Sequence, residues 1–280
     1  MKLLPAVLIG SLLLALLAGG VYVSTRPHAP VVVATQPSRV ELVASSTLPH
    51  GTETSLRITI FIYHTIANGK PTETKSQEVY STEPALLDEQ LTYLDTHGYT
   101  TITMKEMADM MRRGTTSPIA KPVVLGFDDG WETQYENALP ILKKHHAKAV
   151  FYIFPNPISK DKRFMTWEQL GEVRDAGMEI ADHTLTHPLL SKQTPAMLHH
   201  EMFDSKTMLE QKLGIKVTNF ASPFGYTSPA VIAELKADGY ETGRTTDKGS
   251  VHAVTSALAL TGYIVHHDMK DFEFALLYAK

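Results

Sequence analysis

The chain has 280 residues, no cysteine and a formal net charge of −4, with a sequence pI near 6.3. The slightly acidic balance does not indicate a nucleic-acid-binding surface, and the lack of cysteine excludes disulfides, iron–sulfur clusters and a thiol nucleophile. Hydrophobic residues make up 43% and charged residues 20%, a composition that can bury a sizeable core.

The N-terminus is an uncharged apolar segment. After Lys2, residues 3–23 contain no charged side chain. A run of about 20 apolar residues is long enough to cross a bilayer as a helix, whereas the apolar core of a secretory signal is usually about 7–15 residues long. We therefore expect residues 1–23 to be a signal anchor or, if cleaved, a signal peptide. Either interpretation predicts export, as a single-pass membrane protein or as a secreted one.

The next segment, residues 24–55, is rich in Pro, Ser and Thr and has no periodic apolar pattern, which predicts a flexible tether. From residue 56 to residue 280, short apolar strands and amphipathic helices are predicted to alternate. The predicted strands are residues 56–64, 99–103, 123–127, 149–154, 178–181, 217–221, 240–243 and 262–266. The predicted helices are residues 84–97, 104–113, 133–145, 166–176, 194–213 and 228–238.

Alternation of strand and helix with short connections argues for parallel βα units. About seven or eight strands favour a barrel over an open sheet. The expected fold is therefore an α/β domain over residues 56–280, an irregular (β/α) barrel of about seven parallel strands. In such folds, chemistry gathers at the C-terminal ends of the strands, which provides a positional test for candidate residues.

Two adjacent aspartates follow the apolar strand VVLGF. Asp128 and Asp129 stand at the predicted C-terminal end of that strand, and Gly130 follows them. Because successive side chains of a strand point to opposite faces, one carboxylate could bind a cation while the other faces a substrate. The alternative is a helix N-cap, a position that favours Asp. Two charges at a buried strand end favour a function, since burying an unpaired carboxylate is costly.

Two histidines follow another predicted strand, MEIA. His183 and His187 are four residues apart, a spacing at which two imidazoles can converge on one metal from a helical turn or a curled loop. With 13 histidines in the chain, the spacing can also arise by chance. The position at the end of a second strand favours the metal interpretation.

One carboxylate and two imidazoles from separate strand ends form a three-ligand set. Such a set leaves room for water or substrate, as in catalytic rather than closed structural metal sites. The remaining carboxylate is then available as a general base. Without a Cys ligand, this set fits Zn²⁺, and Co²⁺, Ni²⁺, Mn²⁺ or Fe²⁺ is also compatible with it.

Three further segments carry weaker signals. Pro223 and Gly225 follow the sixth predicted strand, where irregular backbone could present N–H groups to an oxyanion, and an ordinary strand-to-helix turn is an equal alternative. His266 and His267 end the last predicted strand, where one of them could act as a general acid and the alternative is a surface histidine. His64 ends the first strand and is a similar, weaker candidate.

The segments GFDDGW, HTLTHPLLS and ASPFGY, in this order and spacing, resemble the first three motifs of the polysaccharide deacetylases, carbohydrate esterase family 4. IYHTI and VHHDMKDFEFALL extend the similarity to the branch that begins with a Tyr-His strand. The resemblance covers roughly residues 57–280, and its first two motifs are the specific ones.

This resemblance implies a distorted (β/α) barrel and metal-dependent removal of N-acetyl groups from amino-sugar polymers. By motif position, Asp128 would be the base that acts on a metal-activated water. The metal, most simply zinc, would be held by Asp129, His183 and His187.

The third and last motifs imply the remaining roles. Backbone near Phe224, with Pro223 and Tyr226, would form the oxyanion and substrate contacts. His266 would be the general acid, in preference to its neighbour. The positions with the weakest support are His64, His267 and Trp131.

Two departures from the family pattern bear on the base. Many relatives carry Arg or Tyr immediately before the Pro of the third motif, where this chain has Ser222, and Gly126 stands where Thr is common. In relatives where that Arg orients the base, the motif shows what holds the carboxylate. Because this chain has another residue there, the motif does not show what holds Asp128. The substrate class is also open.

The sequence therefore predicts an exported, membrane-tethered monomer that deacetylates a polysaccharide of the cell envelope or matrix and binds no nucleic acid. One alternative is a deacetylase or amidase that acts on an O-acetylated glycan or a small molecule. The other is a tethered glycan-binding barrel without turnover. The intact set of Asp128, Asp129, His183 and His187 argues against it.

Overall fold

The computed structural model describes residues 55–68, 80–114, 118–266 and 268–278. The predicted membrane segment 1–23, the tether up to residue 54, and His267 lie outside these ranges. Among the described residues, no helix has the length and apolar character needed to cross a membrane.

The strands of the described residues are β1 (Ser55–Arg57), β2 (Thr59–Tyr63), β3 (Thr65–Ile66), β4 (Ser81–Thr82), β5 (Thr100–Ile102), β6 (Pro122–Asp129), β7 (Val150–Ile153), β8 (Glu179–Asp182), β9 (Asn219–Ala221), β10 (Thr242–Arg244), β11 (Val251–Ala253) and β12 (Tyr263–Ile264). The α-helices are α1 (Pro84–Thr96), α2 (Met104–Arg113), α3 (Leu139–Lys144), α4 (Trp167–Asp175), α5 (Pro195–His199), α6 (Ser205–Leu213), α7 (Pro229–Ala237) and α8 (Met269–Tyr278).

Most predicted helices are present, with differences inside two of them. A π-helical turn, Gln134–Ala138, precedes α3, and a second, His200–Asp204, joins α5 to α6. The single helix predicted over residues 194–213 is therefore two α-helical segments around a π-helical turn. Periodicity could not reveal this, because one extra residue in a turn hardly alters the apolar pattern.

Eight strands form one parallel sheet that curls into an incomplete barrel. The continuous order is β10-β9-β8-β7-β6-β2-β12, and β5 pairs with the first half of β6. A parallel bridge between Arg244 of β10 and Leu260 links the two ends of this path. The predicted irregular barrel, with seven parallel strands on its continuous path, is confirmed.

The first predicted strand is two strands in the structure. β1 pairs antiparallel with β11 outside the main sheet, whereas β2 pairs with β6 and β12. The break falls at Ile58, whose N–H donates to the Ser250 carbonyl at 2.8 Å. No turn residue interrupts the sequence at the break, so the sequence gave no sign of the change of partner.

Alternate side chains of the sheet enter two separate cores. On β6, Val124 belongs to a cluster in the barrel interior, whereas Val123 and Leu125 pack in a larger cluster with the outer helices. Four methionines of α2 also belong to the interior cluster: Met104, Met107, Met110 and Met111. By the same alternation, Gly126 and Asp128 lie on the interior face, so β6 brings a carboxylate to the open end of the barrel.

Candidate active site

Side chains from the C-terminal ends of several parallel strands meet in one cavity of about 280 Å³. The predicted residues that line this cavity are His64, Asp128, Asp129, His183, His187 and Phe224. The predicted residues that are not among its lining are Trp131, Pro223, Tyr226 and His266. The positional expectation for a barrel of parallel strands therefore holds for the central residues of the candidate site.

Three donor atoms in this cavity are placed to hold a divalent metal. Asp129 Oδ1 lies 3.5 Å from His183 Nε2 and 3.4 Å from His187 Nε2, and one ligand atom from each residue lies within 4.8 Å of the others. Ligands of a tetrahedral metal with bonds of about 2.0–2.2 Å are about 3.3–3.6 Å apart. The spacing and the His₂Asp donor set therefore fit Zn²⁺ or a similar cation.

The surroundings of His183 prepare its ring for metal binding. Its Nδ1 lies 2.7 Å from the Ala221 carbonyl, which fixes the tautomer so that Nε2 carries the lone pair facing Asp129. Burial lowers the pKa of His183 to about 4. The imidazole is therefore neutral at physiological pH, the form that a metal ligand requires.

Both adjacent aspartates line the same cavity, although an extended strand would send them to opposite faces. Asp129 has a φ of 80°, in the left-handed region that non-glycine residues rarely adopt. This turn of the backbone brings its carboxylate back to the side of Asp128. Trp131 Nε1 donates to Asp129 Oδ2 at 2.8 Å, and the indole stacks on Phe164, so Oδ1 is the oxygen that faces the histidines.

The base candidate is held by a residue that the sequence analysis missed. Arg244 Nη2 donates to Asp128 Oδ1 at 2.5 Å and to Oδ2 at 2.7 Å, and both residues are buried. Burial alone would raise the pKa of Asp128, but the charge of Arg244 and its hydrogen bonds outweigh this effect, and the pKa is lowered. The carboxylate is therefore ionised and able to accept a proton.

Arg244 orients the base candidate Asp128, a role that the family resemblance would give to an Arg at position 222. Its guanidinium lies over the Tyr152 ring, 4.7 Å from the centroid. A Cβ at Gly126 would lie 3.2 Å from that ring, so the absence of a side chain at this position leaves room for the Tyr152 ring. Gly126, Tyr152 and Arg244 thus form one arrangement around Asp128.

A signal for Arg244 was present in the sequence. The strand predicted over residues 240–243 ends immediately before it, so Arg244 meets the same positional test that selected the aspartates. A cation at the end of a buried strand needs a partner of opposite charge. The positional argument therefore holds for this arginine as it does for the acids and histidines.

His64 lines the cavity and lies near the base candidate, Asp128. Its Nε2 lies 4.0 Å from Asp128 Oδ2, and its ring packs on Tyr80 with the centroids 4.8 Å apart. His266, the preferred acid from the sequence, does not line the cavity. The imidazole that faces the Asp128 carboxylate therefore follows β2 and not β12.

The third motif forms a tight turn at the cavity edge. Phe224 has a φ of 59°, its ring is 57% exposed, and it packs on His187. Gly225 N–H donates to the Ser222 carbonyl at 2.9 Å, and Tyr226 N–H donates to the Pro223 carbonyl at 3.4 Å. A Cβ at Gly225 would collide with the Thr246 side chain, so this close approach requires glycine.

Comparison with known proteins supports the same interpretation. The family model described as polysaccharide deacetylase matches residues 115–243. The Bacillus subtilis protein YxkH, whose name assigns it to the same family, is 30% identical over 199 residues, which are 71% of this chain and 68% of YxkH.

Two further similarities are informative. The poly-beta-1,6-N-acetyl-D-glucosamine N-deacetylase of Escherichia coli K12 is 25% identical over 223 residues, and the match covers 65% of this chain but only 33% of that enzyme. The structure of the Streptococcus pyogenes deacetylase PplD in complex with acetate superposes with a TM-score of 0.74 at 28% identity, and covers 80% of this chain and 98% of PplD.

The match to the family model ends one residue before Arg244 and begins well after His64. His64, which lines the cavity, and Arg244, which holds Asp128, therefore lie outside it. The central residues Asp128, Asp129, His183 and His187 lie within it. The extent of the YxkH match and the shared fold establish the assignment: the chain belongs to the polysaccharide deacetylase family of enzymes, carbohydrate esterase family 4.

Proposed function

We propose that the chain is a metal-dependent hydrolase that removes N-acetyl groups from an amino-sugar polysaccharide of the cell envelope or matrix. The observation that carries the proposal is the convergence of Asp129, His183 and His187 beside a separate, ionised carboxylate, Asp128. Three ligands of this kind leave a coordination position open, and the fourth residue is free for proton transfer.

A divalent metal bound by the three ligands would polarise the acetamide carbonyl and lower the pKa of water. Asp128, ionised and fixed by Arg244, accepts the proton of the attacking water. His64, on the same side of the cavity, donates a proton to the departing amine. Gly225 and Tyr226 use their N–H groups within the turn, so we assign the oxyanion contact to the Phe224 N–H.

The rim of the cavity suits a sugar. Tyr80 and Phe224 line the cavity with 39% and 57% of their surfaces exposed, and each packs against one of the site histidines. Aromatic faces beside polar groups suit a pyranose ring, which has an apolar face and polar edges. The name of the Escherichia coli relative supports a β-1,6-linked N-acetylglucosamine polymer as the first substrate to examine.

The test is release of acetate by the purified protein with Zn²⁺ or Co²⁺ supplied. The substrates are β-1,6-linked N-acetylglucosamine oligomers, chitin oligomers and peptidoglycan, with an O-acetylated xylan to separate amide from ester cleavage. We expect release from at least one N-acetyl substrate, and an Asp128→Asn variant that retains the metal but loses about 10²–10⁴-fold in rate. No release from any substrate by metal-loaded protein would refute the proposal.

We also propose that the enzyme works outside the cytoplasm, attached through residues 1–23. The support is the uncharged apolar run itself and the polymeric substrate class, which is found at the cell surface. Fractionation of cells that express the full chain tests this, since carbonate-resistant membrane association is expected and is lost when residues 1–23 are deleted. Cytosolic recovery of the full chain would contradict it.

A further inference from the structure

The segment that carries both site histidines has an unusual backbone. Thr184 has a φ of 68° and His187 a φ of 61°, in the left-handed region that a β-branched residue such as Thr strongly disfavours. Such conformations persist only where surrounding contacts impose them, and they concentrate at functional sites. The groups that hold residues 184–187 in place therefore bear on the geometry of the site.

One residue binds this segment at two successive positions. The Glu201 carboxylate accepts from the Thr186 N–H at 2.8 Å and from the Thr186 hydroxyl at 2.6 Å. The Glu201 backbone carbonyl accepts from the Leu185 N–H at 2.9 Å. Glu201 is only 6% exposed and does not line the cavity, so these bonds are shielded from water without touching a substrate.

Glu201 lies in the π-helical turn His200–Asp204 between α5 and α6. π-Helical turns interrupt the regular α-helical hydrogen bonds and occur frequently at functional sites. Here the interrupted turn uses both a side chain and a backbone carbonyl to bind a segment of a different element. At the other end of the segment, Asp182 Oδ1 accepts from the Thr184 N–H at 3.0 Å and from the Ser205 hydroxyl at 2.5 Å.

We propose that Glu201 is a positioning residue for the metal site: through Leu185 and Thr186 it imposes the backbone that aims His187 at Asp129. The inference rests on the proposed function, because it assigns a role toward the same metal. Glu201 makes no contact with the reacting atoms and acts only through His187. The hydrogen-bond partners that orient ligand residues typically change metal affinity about 10–100-fold when they are removed.

The test compares the Zn²⁺ affinity of variants of the full chain, measured by competition with a chromophoric chelator. We expect Glu201→Ala to weaken Zn²⁺ binding about 10–100-fold and to alter the visible absorption of the Co²⁺-loaded protein. Glu201→Gln keeps one oxygen acceptor and should recover part of the affinity. Thr186→Val should weaken binding in the wild type but add no further loss to Glu201→Ala, as expected for two partners in one interaction.

Glu210→Ala is the matched control. The Glu210 carboxylate accepts from the Val217 N–H at 3.1 Å and its carbonyl from the Gly214 N–H at 2.9 Å, the same pair of roles at a place away from the histidines. This variant should keep the Zn²⁺ affinity of the wild type even where its unfolding midpoint falls.

Wild-type affinity in Glu201→Ala, or an equal loss in Glu210→Ala, would overturn the positioning role while leaving the proposed function intact. If Glu201→Ala does not fold, Glu201→Gln and Thr186→Val decide the matter by the same measurement. Failure of the wild type to bind any metal is a different result, because it would refute the proposed function together with this inference.

Discussion

Arg244 and Asp128, 116 positions apart in the sequence, form a buried ion pair in which one guanidinium nitrogen donates to both carboxylate oxygens. The pair joins β10 to β6 across the barrel interior. Because the carboxylate is buried, it depends on this partner both to stay ionised and to keep its orientation. Substitutions that break the pair should therefore lower both the stability of the fold and the activity.

Replacing the cation should change the pH profile. In Arg244→Met, burial is no longer outweighed, so the pKa of Asp128 rises and the acid limb of kcat/KM moves to higher pH. The unpaired charge should also cost about 3–5 kcal/mol of unfolding free energy. pH–rate profiles and urea titrations measure the two effects, with Arg244→Lys as the variant that keeps the charge. An unchanged acid limb would show that Arg244 does not control the base.

The same pair sets the response of the wild type to acid. Because the pKa of Asp128 is lowered from its ordinary value of 3.8, the stabilisation by the pair is complete above that value. It is lost as the pH falls through the lowered pKa of the folded state. We expect the Arg244→Met variant to lack this loss of stability at low pH, as measured by acid unfolding followed by circular dichroism.

The two histidine candidates for the general acid can be separated by parallel variants. His64→Gln should reduce kcat about 10²–10⁴-fold, because it deletes the imidazole facing Asp128. His266→Gln should remain close to the wild type, because His266 does not line the cavity. The reverse result would assign the general-acid role to His266.

Metal binding should stabilise the folded protein. A ligand at about 1,000 times its Kd adds about 4 kcal/mol, so Zn²⁺ should raise Tm and a chelator should lower it. Asp129→Asn and His183→Ala should abolish the shift. His199 is the control, because it forms a second, more exposed group with Glu234 and Asp238. An undiminished shift in His183→Ala, or its loss in His199→Ala, would place the metal elsewhere.

A titratable contact between α1 and α3 should make stability depend on pH. His145, at the C-terminal end of α3, lies 2.8 Å from Asp88 and 2.7 Å from Asp95. Burial would lower the pKa of His145, but the hydrogen bonds to Asp95 and Asp88 raise it above the ordinary value of 6.5.

The stabilisation by His145 is therefore complete below 6.5 and is lost as the pH rises through the raised pKa. Exposed pairs are worth less than about 1 kcal/mol each, so the effect should be modest. Urea unfolding from slightly acid to alkaline pH should show a decline that His145→Gln lacks. An identical decline in the variant would assign it to other groups.

The sequence predicted the barrel and the centre of the site because both depend on short-range patterns. Asp128 and Asp129 follow an apolar strand, and His183 and His187 follow another, so the parallel arrangement alone brings them together. The positive φ of Asp129 could not be predicted, because tertiary contacts impose it against the preference of the residue.

Other features depend on pairings that no local pattern encodes. The split of the first predicted strand follows from a bond between Ile58 and Ser250, which are far apart in the chain. The sequence places Arg244 at the end of a predicted strand, but its pairing with Asp128 is visible only in the fold. Glu201 lies in a helix whose apolar pattern continues through the π-helical turn, so its part in holding Thr186 became visible only in three dimensions.

Gly126, Tyr152 and Arg244 form a series of contacts that ends at Asp128. A Cβ at position 126 would lie 3.2 Å from the Tyr152 ring, which packs against the guanidinium. Position 222 lines the same cavity, so an arginine there would add a second cation to a site whose carboxylate already has one. The effect of either exchange toward the commoner family pattern should therefore depend on the other residues around Asp128, which is the definition of epistasis.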